Sequence, residues 1–304
     1  MSVAVVILAF NEELHLERAL ESIAGFACEV FVIDSGSTDA TVGIARAHGA
    51  QVLEHAFENQ ARQMAWALEH APVTSDWVMR LDADEIVEPD LAEEIHRELP
   101  LLPADVTGVN LQRKTIFQGR FLRHGGRFPL TMLRIWRRGK GRVEDHWMDE
   151  HMYVCEGRTV TFRGGFADHS LIDLTAFIDK HNRYATREAM EVLLQRFDGT
   201  QTEAALTAKA TSTEASLKRW LKLNVYNRIP FELSALAYFF YRYVVRLGFL
   251  DGSAGLVYHV LQGFWYRFLV GAKLRELERG VKDTASREEL ERELLRMTGL
   301  QPRS

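Results

Sequence analysis

The first hundred residues alternate short β-branched runs with stretches of helical periodicity, and few folds accommodate that alternation. Strand-like runs at 3–9, 30–34, 51–55 and 77–82 are separated by helical segments at 12–24, 39–48 and 58–70, which stop at Gly25, at Gly49 and before Pro72. A parallel pair of strands needs a crossover, and a helical crossover covers the sheet face, so the pattern predicts a mostly parallel sheet flanked by helices. The first, second and fourth runs end in polar or acidic residues. Ligands of open α/β sheets bind outside the carboxyl ends of the strands, which is where chemistry is expected here.

At 304 residues the chain is long enough for two domains. The boundaries read from it are an α/β domain over 1–195, a polar Thr/Ala-rich linker over 196–216, and a helical region over 217–304, with a capping box at Ser286-Arg287-Glu288-Glu289. With 37 basic and 42 acidic residues, the net charge of −5 argues against a globally basic nucleic-acid binder, so no nucleic-acid partner is expected. Two cysteines, Cys28 and Cys155, are too few for a disulfide framework and fit a reducing compartment. The amino terminus, which lacks a basic leader, reads as a first strand rather than a signal peptide.

Two regional anomalies stand out. Residues 106–143 carry ten Lys or Arg and no Asp or Glu, a concentration that reads either as a solvated face or as a surface for phosphates. Residues 231–268 hold twelve aromatics with Arg242, Arg246 and Arg267 among them. The longest run there without Asp, Glu, Lys or Arg is 15 residues, against roughly 20 for a spanning helix. The segment reads either as a helical core or as an amphipathic surface lying on a membrane.

Four clusters of acidic or amide residues suggest chemistry: Asn11-Glu12, Asp34-Ser35-Gly36-Ser37-Thr38-Asp39, Asp82-Ala83-Asp84-Glu85 and Asp149-Glu150-His151. Singly, each is ordinary cap or turn chemistry. The third is different in position, because a buried strand runs straight into its carboxylates. Hard oxygen ligands placed so can hold Mg²⁺ or Mn²⁺ while open coordination positions take phosphate oxygens. His146, His151 and His169 match no zinc spacing.

Ala9-Phe10-Asn11-Glu12, Val32-Ile33-Asp34-Ser35-Gly36-Ser37-Thr38-Asp39 and Leu81-Asp82-Ala83-Asp84-Glu85, at these spacings, resemble family 2 glycosyltransferases of the GT-A fold. Asp149-Glu150-His151-Met152, Lys180-His181-Asn182-Arg183-Tyr184-Ala185, Gly248-Phe249-Leu250-Asp251-Gly252 and Gln262-Gly263-Phe264-Trp265-Tyr266-Arg267-Phe268-Leu269 are similar to bacterial enzymes of the lipopolysaccharide-core or exopolysaccharide type. The resemblance implies a Rossmann-like GT-A domain followed by a helical C-terminal region. It also implies sugar transfer from a nucleotide sugar, UDP-linked, to a hydroxyl of a lipid-linked saccharide or lipopolysaccharide core, with Mn²⁺ or Mg²⁺. Asp34 would meet the base, with Ala9, Asn11, Glu12, Arg62 and Asp82 lining the nucleotide site. Asp82 and Asp84 match the D-x-D metal motif, and Asp149 or Glu150 matches the general base. The common Asp-Asp-Gly-Ser stands here as Asp34-Ser35-Gly36-Ser37, which keeps only its first carboxylate.

The implied reaction is a single displacement with inversion, needing no protein nucleophile, at the cytoplasmic face of the plasma membrane. Two alternatives are a non-catalytic GT-A scaffold of a polysaccharide assembly complex and a sugar nucleotidyltransferase. The second would want a Gly-rich, Arg-containing phosphate loop after the first strand, and Ala9-Phe10-Asn11-Glu12-Glu13 supplies none.

Overall fold

The computed structural model describes residues 1–144, 151–206, 230–282, 284 and 286–300, with side chains of 199–206 outside the described set. It divides into two compact units, Met1–Leu171 and Ile172–Ser304.

In the first unit β1 (Val3–Ala9), β2 (Glu29–Asp34), β3 (Gln51–Glu54) and β4 (Trp77–Asp82) form a parallel half-sheet in the order β3-β2-β1-β4. Their crossovers are α1 (Leu16–Ile23), α2 (Thr41–Ala47) and α3 (Gln60–His70). Apolar residues on both faces explain why β1 is buried nearly end to end. Val3, Val5 and Ile7 pack on one side with Leu16, Leu20 and Ile23 of α1, while Ala4 and Val6 pack on the other with Met64 and Ala67 of α3. A strand covered on both faces reads as a continuous apolar run rather than an alternating one.

Beyond β4 the chain makes β5 (Glu85–Val87), α4 (Pro89–Glu98), β6 (Val106–Phe117), β7 (Arg120–Phe121), β8 (Leu130–Arg137), β9 (Gly141–Val143), β10 (Met152–Val154) and β11 (Arg158–Asp168). The sheet continues β4-β8-β6-β11-β5, with β8 and β5 antiparallel to their neighbours and β11 parallel to β6. The sheet is parallel over β3-β2-β1-β4, as the βα alternation predicts, and mixed beyond β4 because β8 and β5 return antiparallel. One irregularity fixes how a helix docks. The register of β11 against β6 shifts between Thr161 and Gly165, and Glu94 of α4 accepts from the N–H groups of Arg163 and Gly164 at 3.1 and 2.7 Å. A Cβ on Gly164 would stand 2.5 Å from the Leu91 backbone, so only glycine admits α4 this closely.

The second unit comprises α5 (Leu174–Leu206), α6 (Phe231–Phe240), α7 (Gly252–Tyr258), α8 (Tyr266–Gly280) and α9 (Arg287–Thr298). Wider helical turns at Tyr241–Val245 and His259–Trp265 interrupt it, and Leu247 turns the chain at φ 60°. Its core is Ala189, Met190, Leu193 and Leu194 of α5 against Leu277, Val281, Leu290 and Leu294. The first unit therefore closes at Leu171, short of residue 195, because α5 buries its apolar face among the later helices. Residues 196–206, placed in a linker by their polarity, continue α5, and the rest of that linker lies outside the described residues. Ser286 caps α9 by accepting from the Glu289 N–H at 3.2 Å, as its capping box predicts.

Candidate active site at the sheet rim

Strand register brings the predicted residues together before any side chain is considered. Ala9 pairs with Asp34 across β1 and β2, and Leu8 pairs with Asp82 across β1 and β4. Neighbouring strands lie about 4.8 Å apart, so Asp34 and Asp82 flank the end of β1 at a separation on the order of 10 Å. The rim they share is the carboxyl end of the parallel half-sheet.

The loops after β1 and β2 are stitched to each other. Asn11, in the left-handed region at φ 54°, donates its N–H to Ser37 Oγ at 2.8 Å and accepts from the Thr38 N–H at 2.9 Å. Asparagine tolerates that conformation better than most residues, which gives its place in the sequence a backbone reason. Glu12 donates its N–H to Thr41 Oγ1 at 2.7 Å. Its carboxylate meets His15 Nδ1 at 2.7 Å, and His15 Nε2 accepts from the Leu171 N–H at 2.9 Å. Because Nε2 is an acceptor, the proton of neutral His15 sits on Nδ1 and is donated to Glu12.

Asp34 is 2% exposed and serves its own loop: Oδ2 accepts from the Gly36 and Ser37 N–H groups at 3.0 and 2.9 Å, and Oδ1 from Ser37 Oγ at 2.5 Å. A carboxylate has about four acceptor sites, so one remains on Oδ1. The side of the pocket toward α3 holds Gln63, which donates to Ser35 Oγ at 3.0 Å and the His55 carbonyl at 3.1 Å, while His55 stacks on Trp66 with ring centres 4.3 Å apart. Arg62, expected at the nucleotide, lies exposed on α3 and pairs with Glu58.

The end of β4 is an ionic network. Arg80 Nε donates to Asp82 Oδ1 at 3.1 Å, and Arg134, from β8, reaches Asp82 Oδ2 at 3.3 Å and Glu85 Oε1 at 2.6 Å. Glu85 also accepts from the Asp82 N–H at 2.9 Å. Burial works against ionisation of Asp82, yet the Arg80 and Arg134 guanidinia outweigh it and hold this carboxyl below the usual range. Burial instead pushes Glu85 up to about 8 against the pull of Arg134, with the Asp82 charge adding to the push. The basic segment 106–143 thus finds its counter-charges in other parts of the chain. Arg134 serves Asp82 and Glu85, Lys114 pairs with Glu88, Lys140 with Glu156, and Arg113 lies 3.8 Å from Asp168. Absence of acids within the segment is not absence of acids around it.

Asp84 stands two residues beyond Asp82, partly exposed, where its carbonyl accepts from the His169 N–H at 3.0 Å. Arg18 donates to the His169 carbonyl at 2.9 Å, and its NH1 lies 3.4 Å from His169 Nδ1. Burial, with the Arg18 charge second, lowers the His169 pKa and keeps the ring neutral, the form in which imidazole binds metals. Asp84 offers hard carboxylate oxygens at the rim, the donor type that Mg²⁺ and Mn²⁺ take, and the His169 backbone holds the Asp84 carbonyl from the end of β11. Asp82 contributes negative charge but is largely engaged by the two guanidinia.

Asp149 and Glu150 lie outside the described residues. Of the positions in this network, Arg134 could not be identified from spacing, since β8 is far from β4 in the chain. His169 carried a readable signal, a polar residue closing a strand at Asp168.

The sequence model of Glycosyl transferase family 2 matches residues 4–169. The lipopolysaccharide core biosynthesis glycosyltransferase LpsC of Rhizobium meliloti is 28% identical over 189 residues, which is 60% of this chain and 68% of that protein. An uncharacterized glycosyltransferase of Rickettsia typhi is 36% identical over 93 residues, and the match spans 31% of each chain, so only about a third of that relative's length is covered. Among solved structures, glucosyl-3-phosphoglycerate synthase from Mycobacterium tuberculosis, in complex with Mn²⁺, uridine diphosphate and glucosyl-3-phosphoglycerate, is 28% identical, covers 39% of this chain and 44% of that one, and gives a TM-score of 0.30.

Proposed function

This chain belongs to glycosyl transferase family 2, and from that premise we propose that it is an inverting transferase moving sugar from a uridine diphosphate sugar to a hydroxyl of a lipid-linked saccharide or lipopolysaccharide core. The observation that carries the reading is the convergence of Asp34, Asp82, Asp84 and His169 on one rim of the sheet. The remaining acceptor site on Asp34 Oδ1 suits the N3–H donor of uracil, which cytosine lacks. Asn11 and Glu12 hold the loop that presents it, and Gln63 and His55 close the other side.

Asp84 and His169 would hold Mn²⁺ or Mg²⁺, which when bound supplies Lewis-acid neutralisation of charge on the departing diphosphate. Arg18, next to that corner, places a fixed positive charge near the same phosphates. The acceptor's proton goes to Asp149 or Glu150, supported by their match to the family's base motif, as attack proceeds at the face opposite the leaving group. Similarity to LpsC supports a lipopolysaccharide-core acceptor.

A membrane surface is part of the same proposal. No single described helix is long and apolar enough to cross a bilayer, and Phe231–Val245 with Gly248–Gly280 passes that test only as a pair bent by 70°. Around the bend Phe240, Tyr241, Val244, Val245, Leu247, Phe249 and Leu250 are all exposed, with Arg246 among them. Such a face suits the headgroup region of an anionic bilayer. Cys28 and Cys155, both free and exposed, fit a reducing cytoplasmic side.

The test is diphosphate release from a panel of nucleotide sugars with Mn²⁺ and membrane extract, comparing the native chain with Asp84→Ala. We expect release from a uridine diphosphate sugar and its loss, by a factor of at least ~10³, in the variant with unchanged thermal unfolding. Equal turnover in the two proteins refutes the metal corner, and no release with any donor refutes the transfer itself.

A further inference from the structure

The bent helical pair of the second unit carries more positive charge than its own contacts use. Between 233 and 275 stand five cations, Arg242, Arg246, Arg267, Lys273 and Arg275, and a single acid, Asp251, which is 2% exposed. Lys273 donates to Thr186 Oγ1 at 2.8 Å, and Arg275 pairs with Glu232 at 3.0 Å. Arg246 and Arg267 are exposed, and among the described residues neither has a carboxylate within ion-pair distance. Cations left without counter-charge at a surface raise a potential that favours anions.

Two of the guanidinia meet over one ring. Tyr238, on α6, is half-buried. The Arg267 guanidinium, from the first turn of α8, lies 3.7 Å from its ring centre, and that of Arg242 lies 5.4 Å from it. Arg242 also donates from Nη1 to the Tyr238 hydroxyl at 2.6 Å, so the phenol oxygen accepts, while its own proton has no acceptor among the described residues. Burial works to raise the Tyr238 pKa, yet the Arg242 and Arg267 charges outweigh it and hold the phenol below its ordinary value, the mark of a positive local field. The phenol proton and the planar fork of Arg267 are two kinds of donor for one oxyanion, and Arg242, already engaged, adds its charge.

The surroundings say which anion. Leu236, Phe240, Tyr241 and Val245, from the same stretch of chain, are exposed. A soluble anion would leave those side chains in water. A phospholipid supplies the phosphate and covers the apolar groups with its acyl chains, while tyrosine and arginine settle at headgroup depth.

We propose that Tyr238, Arg242 and Arg267 bind the headgroup phosphate of an anionic phospholipid, with Arg246 adding positive charge at the bend. The assignment rests on the membrane reading above and deepens it: one phosphate is held at a built site, where a diffuse attraction would need only the charge.

The test is sedimentation of the full chain with vesicles of pure phosphatidylcholine and of an equimolar phosphatidylcholine–phosphatidylglycerol mixture, with uridine diphosphate binding and thermal unfolding measured on the same samples. The native chain should bind the mixed vesicles at least ~10-fold more tightly. Arg267→Gln should lower that binding at least ~5-fold and Tyr238→Phe at least ~3-fold, whereas Arg279→Gln, which removes an exposed charge from the same helix, should change it less than ~2-fold. Uridine diphosphate affinity and unfolding should be unchanged in all three. Equal losses in Arg267→Gln and Arg279→Gln, or no loss in Arg267→Gln, overturn the site. A second measurement needs no variant: monomeric dihexanoylphosphatidylglycerol should bind the native chain at least ~5-fold more tightly than dihexanoylphosphatidylcholine, and equal binding overturns the site. Inorganic phosphate that binds as tightly as the anionic lipid overturns the phospholipid as its ligand. Native protein that sediments alike with both vesicles removes the phosphate site and leaves the membrane reading standing; native protein that sediments with neither removes both.

Discussion

Replacing Arg134 by Met removes a buried guanidinium that contacts both Asp82, at 3.3 Å, and Glu85, at 2.6 Å, and keeps most of the volume. Arg134 is 4% exposed and its guanidinium lies 5.0 Å from the Phe166 ring centre, so water cannot readily replace it. What remains among the described contacts is the Asp82 carboxylate with Arg80, and Glu85 with the Asp82 N–H. Breaking a buried ion pair from one side costs about 3–5 kcal/mol, because the stranded charge is not resolvated. Glu85 limits the cost by taking up a proton, since its pKa is already near 8 and rises once Arg134 is gone. At about 2–4 °C per kcal/mol for a unit of this size, thermal unfolding at pH 8 should fall by roughly 6–20 °C. Arg134→Lys keeps the charge but loses the fork, and should fall between the two. The assay is circular dichroism melting of the full chain at pH 8 and pH 6, with the larger loss at pH 8. A Met variant that melts within about 3 °C of the native protein at both pH values would refute the claim that Arg134 makes this carboxylate cluster tolerable.

Burial raises the Glu85 pKa from 4.5 to about 8, so the stability its neutral form confers is complete below pH 4.5 and is lost as pH climbs through 8. The ceiling is roughly 5 kcal/mol, and Glu85→Gln should flatten the decline in denaturant midpoint between pH 5 and pH 9; parallel curves for the two proteins would contradict this. Asp149→Asn and Glu150→Gln should differ by at least ~10²-fold in transfer rate, since a single carboxylate takes the acceptor's proton, and equal mild losses would place the base elsewhere. Phe240→Glu with Val245→Glu should cut sedimentation with phosphatidylglycerol vesicles at least tenfold while leaving uridine diphosphate affinity intact; unchanged sedimentation would remove the bend from the membrane reading.

Much of the carboxylate rim was legible because it is local. The runs at 3–9 and 77–82 coincide with β1 and β4, and acidic residues at their ends announced the rim. Asn11, Asp34, Asp82 and Asp84 each close or follow a strand, so naming the strands placed them. Arg62, placed at the nucleotide by the family resemblance, lies exposed and pairs with Glu58 one turn away. For the basic segment a charge count along the chain sees only neighbours in sequence, whereas Coulombic compensation acts through space, through Glu85, Glu88, Glu156 and Asp168.

Sequence alone therefore determined the βα alternation, the family and the carboxylates at the strand ends, because hydrophobic period and capping are short-range and survive in a linear reading. Tertiary structure decided that β8 returns antiparallel to β4 and delivers Arg134 to Asp82 and Glu85, that His169 reaches Asp84, and that α5 leaves the first unit for the helices beyond residue 230. These pairings join residues tens of positions apart. They depend on which surfaces bury each other most completely, a comparison that exists only once the whole chain is folded.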